Sequence, residues 1–148
     1  MKIIAASALS ALLSFIPLSP SFAQADVAAS AAKEAGAVVT ASGLVYRSIK
    51  NGEGPHPAAT DTVKVHYRGT FPDGKEFDSS YSRGTPAEFP LNRVIKCWTE
   101  GVQLMKVGGK AKLTCPAAIA YGEKGAGGVI PPNALLQFEV ELLGIAGR

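Results

Sequence analysis

The chain has 148 residues, 47% of them apolar and 7% aromatic, with 15 Lys and Arg against 12 Asp and Glu for a formal charge of +3. That balance excludes a strongly basic nucleic-acid footprint, and the apolar content excludes a fibrous or wholly disordered chain. The length suits a single domain.

Met1 and Lys2 give one positive charge, and from Ile3 to Ile16 only Ile, Ala, Ser, Leu and Phe occur. This run is shorter than the ~20 apolar residues of a membrane helix. Pro17 and Pro20 interrupt it before Ser21-Phe22-Ala23, a small-x-small pattern of the kind a signal peptidase cuts after. Residues 1–23 therefore read as a signal peptide, with cleavage after Ala23 or Ala25. The alternative, an amphipathic core helix, fits poorly because the run has no polar face. No other run approaches membrane length, so no membrane association is expected once the leader is removed.

Residues 24–41 are Ala-rich, poor in large apolar side chains and broken by Gly36. They read as a flexible arm with at most a short helix, since isolated helices of that length are marginal in water. Residues 42–148 carry the domain signals. Val63, Val65 and Tyr67 alternate with Lys64, His66 and Arg68, a strand with one buried face. Pro72-Asp73-Gly74 supplies turn chemistry and a hairpin returns through Glu76 to Asp78. A polar loop follows, then a short strand with Ala87, Phe89 and Leu91 on one face.

Val94, Trp98, Val102 and Met105 recur at helical spacing, with Asn92 as the N-cap candidate and Gly108-Gly109 as the stop. Strand alternation resumes with Ala111, Leu113 and Cys115, and again with Leu136, Phe138, Val140 and Leu142. Hairpin-linked strands with one helix give an α+β class with a mainly antiparallel sheet.

Familiar catalytic constellations fail against these residues. His56 and His66 have no G-x-S-x-G serine or paired carboxylate beside them, and His66 sits on the polar face of its strand. No H-E-x-x-H or EF-hand loop signals a metal. The Gly122–Gly128 stretch lacks a phosphate-loop pattern and runs into two prolines. Cys97 and Cys115 are the only cysteines. In an oxidising compartment they have one connectivity available, and the alternative is two separate buried thiols.

Several ordered motifs remain: VHYRG at 65–69, DGKEFDSS at 73–80, VIKCWTEG at 94–101, AYG at 120–122, VIPP at 129–132 and FEVELL at 138–143. Together they resemble the FKBP-type peptidyl-prolyl cis-trans isomerases, from about Ser42 to Ile145. SGLVY at 42–46 and GAGGVIPP at 125–132 are closest to the bacterial branch that includes the macrophage infectivity potentiator proteins. Those dimerise through a long N-terminal helical region for which this chain has no room, so the resemblance implies a monomer.

The resemblance also implies an antiparallel sheet wrapped around one short helix, and an isomerase that turns X-Pro bonds of unfolded exported polypeptides. It implies Trp98 as the pocket floor, with Tyr67, Phe77, Val94, Ile95, Tyr121, Ile130 and Phe138 as walls and Val129 nearby. The resemblance further implies Asp78 at the pocket edge, with Arg83 at the place of its partner. The Tyr121 hydroxyl and the Ile95 N–H are the implied donors to a bound peptide or macrolide.

The family chemistry needs no metal and no cofactor. Two alanines depart from the pattern: Ala87 where many members carry a pocket aromatic, and Ala126 where a larger residue often stands. Cys97 replaces the usual glycine before the Trp and Cys115 takes an aliphatic place in the neighbouring strand, so a helix-to-strand disulfide is expected. A different class of function, a module that holds Pro-containing segments without turning them, shares the same pocket. The leader places the mature protein in the bacterial periplasm, with secretion as the alternative.

Overall fold

The computed structural model describes residues 20–147. The alternating Val63, Val65 and Tyr67 build β3 (Thr62–Thr70), around which the sheet is organised. Before it come α1 (Pro20–Ala32), β1 (Ala37–Val39) and β2 (Val45–Lys50). After it come β4 (Glu76–Ser79), α2 (Ser80–Arg83), β5 (Ala87–Pro90), α3 (Lys96–Leu104), β6 (Lys110–Cys115) and β7 (Leu136–Ile145).

The strands form one sheet in the order β1-β2-β6-β7-β3-β4, with every pairing antiparallel. The fold class is thus the expected α+β, an antiparallel sheet packed around a short helix. β7 pairs along almost all of β3, from Val63 opposite Ile145 to Thr70 opposite Gln137. The other edge of β3 is shared. Its first half pairs with β5 (Thr62 opposite Pro90, Val65 opposite Ala87) and its second half with β4 (Arg68 opposite Ser79). The one-turn helix α2 sits in the interruption, so its residues stand beside the middle of β3.

One face of the sheet is apolar. Leu44, Val63, Val65, Leu113, Leu136, Val140 and Leu142 are fully buried there, joined by Cys97, Trp98 and Val102 of α3. Burying each such side chain stabilises by about 1.5–3 kcal/mol relative to exposure. Gly101 lets α3 approach this closely, since a Cβ there would stand 2.8 Å from Leu113 Cδ2. Cys97 and Cys115 are disulfide-bonded, their Cα atoms 5.9 Å apart, so α3 is also tied covalently to the end of β6.

Two sequence expectations change. α3 does not begin at Asn92, which lies in a 3-10 turn over Leu91–Arg93. Val94 (φ −114°, ψ 175°) and Ile95 (φ −60°, ψ 152°) are extended, and the helix starts at Lys96 with Ile95 as an N-cap lacking a side-chain bond. The periodicity holds but its first apolar member, Val94, belongs to the cavity wall rather than the helix.

Residues 24–41, expected as a flexible arm, instead carry regular structure. Ala37–Val39 add a strand to the free edge of β2, and Ala31 of α1 is buried. Glu34 takes Arg47 at 3.4 Å and Lys112 at 3.3 Å. Gln24 donates through Nε2 to the Asn133 carbonyl at 3.1 Å and accepts from the Leu135 N–H at 2.6 Å. These long-range contacts, rather than intrinsic helix propensity, hold the segment. Residues 1–19 of the expected signal peptide lie outside the described residues, and both expected cleavage points fall within α1.

Candidate active site

Where α3 meets the sheet, a cavity of about 430 Å³ opens beside Trp98. Trp98 is 4% exposed, and three rings meet it edge-on: Tyr67 at 5.3 Å and 85°, Phe89 at 5.5 Å and 89°, Phe138 at 5.5 Å and 88°. Phe77 adds an edge contact to Phe138 at 5.7 Å. Such perpendicular pairs put the positive ring edge on the negative face and add about 0.5–1.5 kcal/mol each beyond burial. They fix the indole as a rigid apolar floor. The Trp98 Nε1 is buried with no hydrogen-bond partner among the described residues.

Gly69 lets the aromatic wall close. It lies opposite Phe138 on one side and Asp78 on the other, and a Cβ there would meet Phe77 Cζ at 2.6 Å and Phe138 Cε1 at 3.0 Å.

One corner is polar. The Tyr67 hydroxyl donates to Asp78 Oδ2 at 2.5 Å, Arg83 Nη1 donates to Asp78 Oδ1 at 2.6 Å, and Arg83 Nη2 donates to the Tyr67 hydroxyl oxygen at 3.0 Å. The arginine is delivered by α2. Ser79 caps that helix by accepting from the Ser82 N–H, and Gly84 ends it with φ at 71°. Buried Ser80 fastens α2 to β3, its Oγ accepting from the Tyr67 N–H at 2.7 Å and bonding His66 Nδ1 at 2.8 Å. His66 in turn stacks on Tyr81, centroids 4.6 Å apart.

Burial acts to raise the Asp78 pKa, but the hydrogen bonds from Tyr67 and Arg83, and the guanidinium charge, outweigh it and hold the carboxyl below its usual range. Tyr67 is pushed above its ordinary value by burial and by donating to Asp78. At neutral pH the corner therefore holds a neutral phenol, a carboxylate and a guanidinium whose charges cancel.

Of the residues expected at the site, Tyr67, Phe77, Asp78, Val94, Ile95, Trp98, Tyr121 and Phe138 line this cavity. The Ile95 N–H and the Tyr121 hydroxyl have no partner among the described residues. Arg83 stands behind the lining, bonded to Asp78 and Tyr67. Ile130, expected in the wall, is buried in the core and does not line the cavity, and Val129, expected nearby, is 57% exposed on the loop. Paired bonds of 2.9 Å between Ala126 and Ile130 pin that loop and turn Ile130 inward.

Phe89 and Arg93 line the cavity and were not singled out from the sequence. Phe89 shares a strand face with Ala87, and that alternation was the available signal. A separate cavity of about 330 Å³, between Tyr46, Lys50, His56 and Met105, contains none of the expected residues.

Residues 54–143 match the family described as FKBP-type peptidyl-prolyl cis-trans isomerase. The chain belongs to that family. Among curated FKBP-type relatives it is 60% identical over 114 residues to FkpA of Aeromonas hydrophila and 57% identical to the 22 kDa isomerase of Escherichia coli K12. These matches cover 77% of this chain but 42% and 55% of the relatives, so it spans about half their length. A macrophage infectivity potentiator of Trypanosoma cruzi is 49% identical over 110 residues.

The FKBP fold is equally clear in solved structures. FkpA from Escherichia coli superimposes with a TM-score of 0.80 at 48% identity, covering 82% of this chain and 57% of that one. An isomerase from Pseudomonas syringae gives 0.77 at 35% identity, covering 88% and 98%.

Proposed function

We propose that this protein accelerates cis-trans rotation of X-Pro bonds in unfolded exported polypeptides. The observation that carries this reading is the cavity itself: a rigid aromatic floor, apolar walls and one charge-cancelled polar corner. An X-Pro bond rotates against a barrier of about 18–20 kcal/mol because twisting breaks amide resonance. The planar amide is more dipolar than the twisted one, so an apolar site disfavours the ground state relative to the transition state. That differential is what catalysis requires.

In this reading the prolyl ring lies on Trp98 between Phe77, Phe89 and Phe138. The Ile95 N–H and Tyr121 hydroxyl donate to substrate carbonyls. Tyr67 and Asp78 hold the polar corner, and a donor reaching the proline nitrogen stabilises the lone pair that localises there on twisting. Macrolides that fill such a pocket are expected to compete. No nucleophile, metal or cofactor enters the scheme.

The apolar run from Ile3 to Ile16 and the cleavage pattern at Ala23 support export to the periplasm, where a Cys97–Cys115 bond persists. No described helix is long and apolar enough to cross a membrane.

The test is the cis-to-trans rate of a neutral X-Pro peptide with purified mature protein, with and without a pocket-filling macrolide, alongside Trp98→Leu. Acceleration abolished by the macrolide and reduced at least tenfold by the substitution supports the isomerase. Peptide binding without acceleration supports a holding module instead.

A further inference from the structure

We infer that Arg93 is a specificity-determining residue of this cavity, and that it favours substrates with an acidic side chain adjacent to the proline. The inference rests on the isomerase reading of the same site. Two charged residues line the cavity, Asp78 and Arg93. Asp78 is already satisfied by Tyr67 and Arg83. The Arg93 guanidinium has no hydrogen-bond or ion-pair partner among the described residues. The lining therefore carries one uncompensated charge, and it is positive.

Its surroundings have the same sign. Arg93 closes the 3-10 turn two residues before Ile95, the N-cap of α3. Lys96 follows as the first helical residue and is exposed, and no acid occupies the first turn of α3. The unpaired N–H groups at a helix start add positive potential. Beyond the lining residue Tyr121 the chain continues with Glu123 and Lys124, whose opposite charges offset one another. A peptide seated on Trp98 places its neighbouring residues along this rim. An Asp or Glu side chain there gains an ion pair, whereas a Lys meets like charge. Burial of the apolar part of the peptide thins the water between them and strengthens the pair relative to an open surface.

The experiment compares kcat/KM for paired peptides that differ only as Glu against Gln, with the change placed before the proline in one pair and after it in the other. Both peptide ends are blocked to remove terminal charge. Wild type is expected to prefer Glu by about threefold to fivefold in at least one pair at low ionic strength. The preference should fade at high salt, vanish in Arg93→Gln and invert in Arg93→Glu.

A wild-type ratio near one in both pairs overturns the inference, as does a preference that survives in Arg93→Gln. Trp98 is the chain's one tryptophan, so its fluorescence reports occupancy of the floor directly. If no peptide is turned over, the isomerase reading fails. The same Glu-to-Gln ratio is then read from binding constants by this signal, and its presence or absence decides the role of Arg93 independently.

Discussion

Tyr67 and Asp78 come from adjacent strands, and the phenol of one donates to the carboxylate of the other at 2.5 Å across the polar corner of the cavity. Arg83 closes the arrangement by donating to both. A hydrogen bond to a charged group is worth about 1.5–3 kcal/mol, so removing one should be visible in turnover. Tyr67→Phe keeps the ring against Trp98 and deletes the bond. We expect kcat/KM for a neutral X-Pro peptide to fall roughly tenfold and the melting temperature to drop by several degrees, measured by coupled peptide assay and thermal denaturation.

The same corner sets a pH window. The Asp78 pKa is lowered on folding, so its contribution to stability is complete above the ordinary carboxylate value of 3.8 and is lost as pH falls through its folded value. The Tyr67 pKa is raised above 10.0, so its contribution is complete below pH 10 and is lost as pH rises further. Between these limits neither group titrates. Titration of these two groups should leave denaturant midpoints unchanged from pH 5 to 9, and the difference between wild type and Asp78→Asn should narrow below about pH 4.

Gly69 predicts a distance-limited defect. Alanine there forces its Cβ to within 2.6 Å of Phe77 Cζ, in a strand held on both sides. Overpacking of this kind costs about 1–3 kcal/mol. Gly69→Ala should lower both stability and activity. In a Phe77→Leu background the added stability penalty should shrink, which a double-mutant cycle of denaturation energies would show.

The Cys97–Cys115 bond closes a span of 18 residues that contains most of α3 and the turn into β6. Chain-entropy arguments give about 3 kcal/mol for a loop of that size. The Cys97→Ser, Cys115→Ser double variant should therefore unfold at markedly lower denaturant than oxidised wild type. Reduction after unfolding should bring wild type down to the same midpoint.

Much of this was legible before any coordinates. The period-2 runs at 62–70, 110–115 and 136–145 are the three central strands, because a strand with one buried face writes its pattern into the sequence. The eight expected residues that meet at the cavity were legible from the motif resemblance rather than from alternation, which by itself marks Tyr67, Trp98 and Phe138 only as core. What the pattern hid was anything decided by a distant partner. Residues 24–41 gain their structure from Glu34 and Gln24 reaching residues far along the chain. Val94 has helical spacing but extended backbone, because it faces the cavity. Ile130 reads as a wall residue, yet the bonds between Ala126 and Ile130 direct it into the core. Arg93 looks like any solvated cation until the cavity is seen beside it.

The two bonds made by Gln24 give the expected leader a structural consequence. Cleavage after Ala23 would leave Gln24 as the first residue of the mature chain, still fastening the Asn133 carbonyl and the Leu135 N–H. Cleavage after Ala25 would discard it, and the backbone that runs from the loop beside Tyr121 into β7 would lose both tethers. Asn133 already holds a left-handed φ of 59°, a conformation few residues adopt unaided. The choice between two alanines at the start of the protein thus becomes a choice about how firmly its far end is moored.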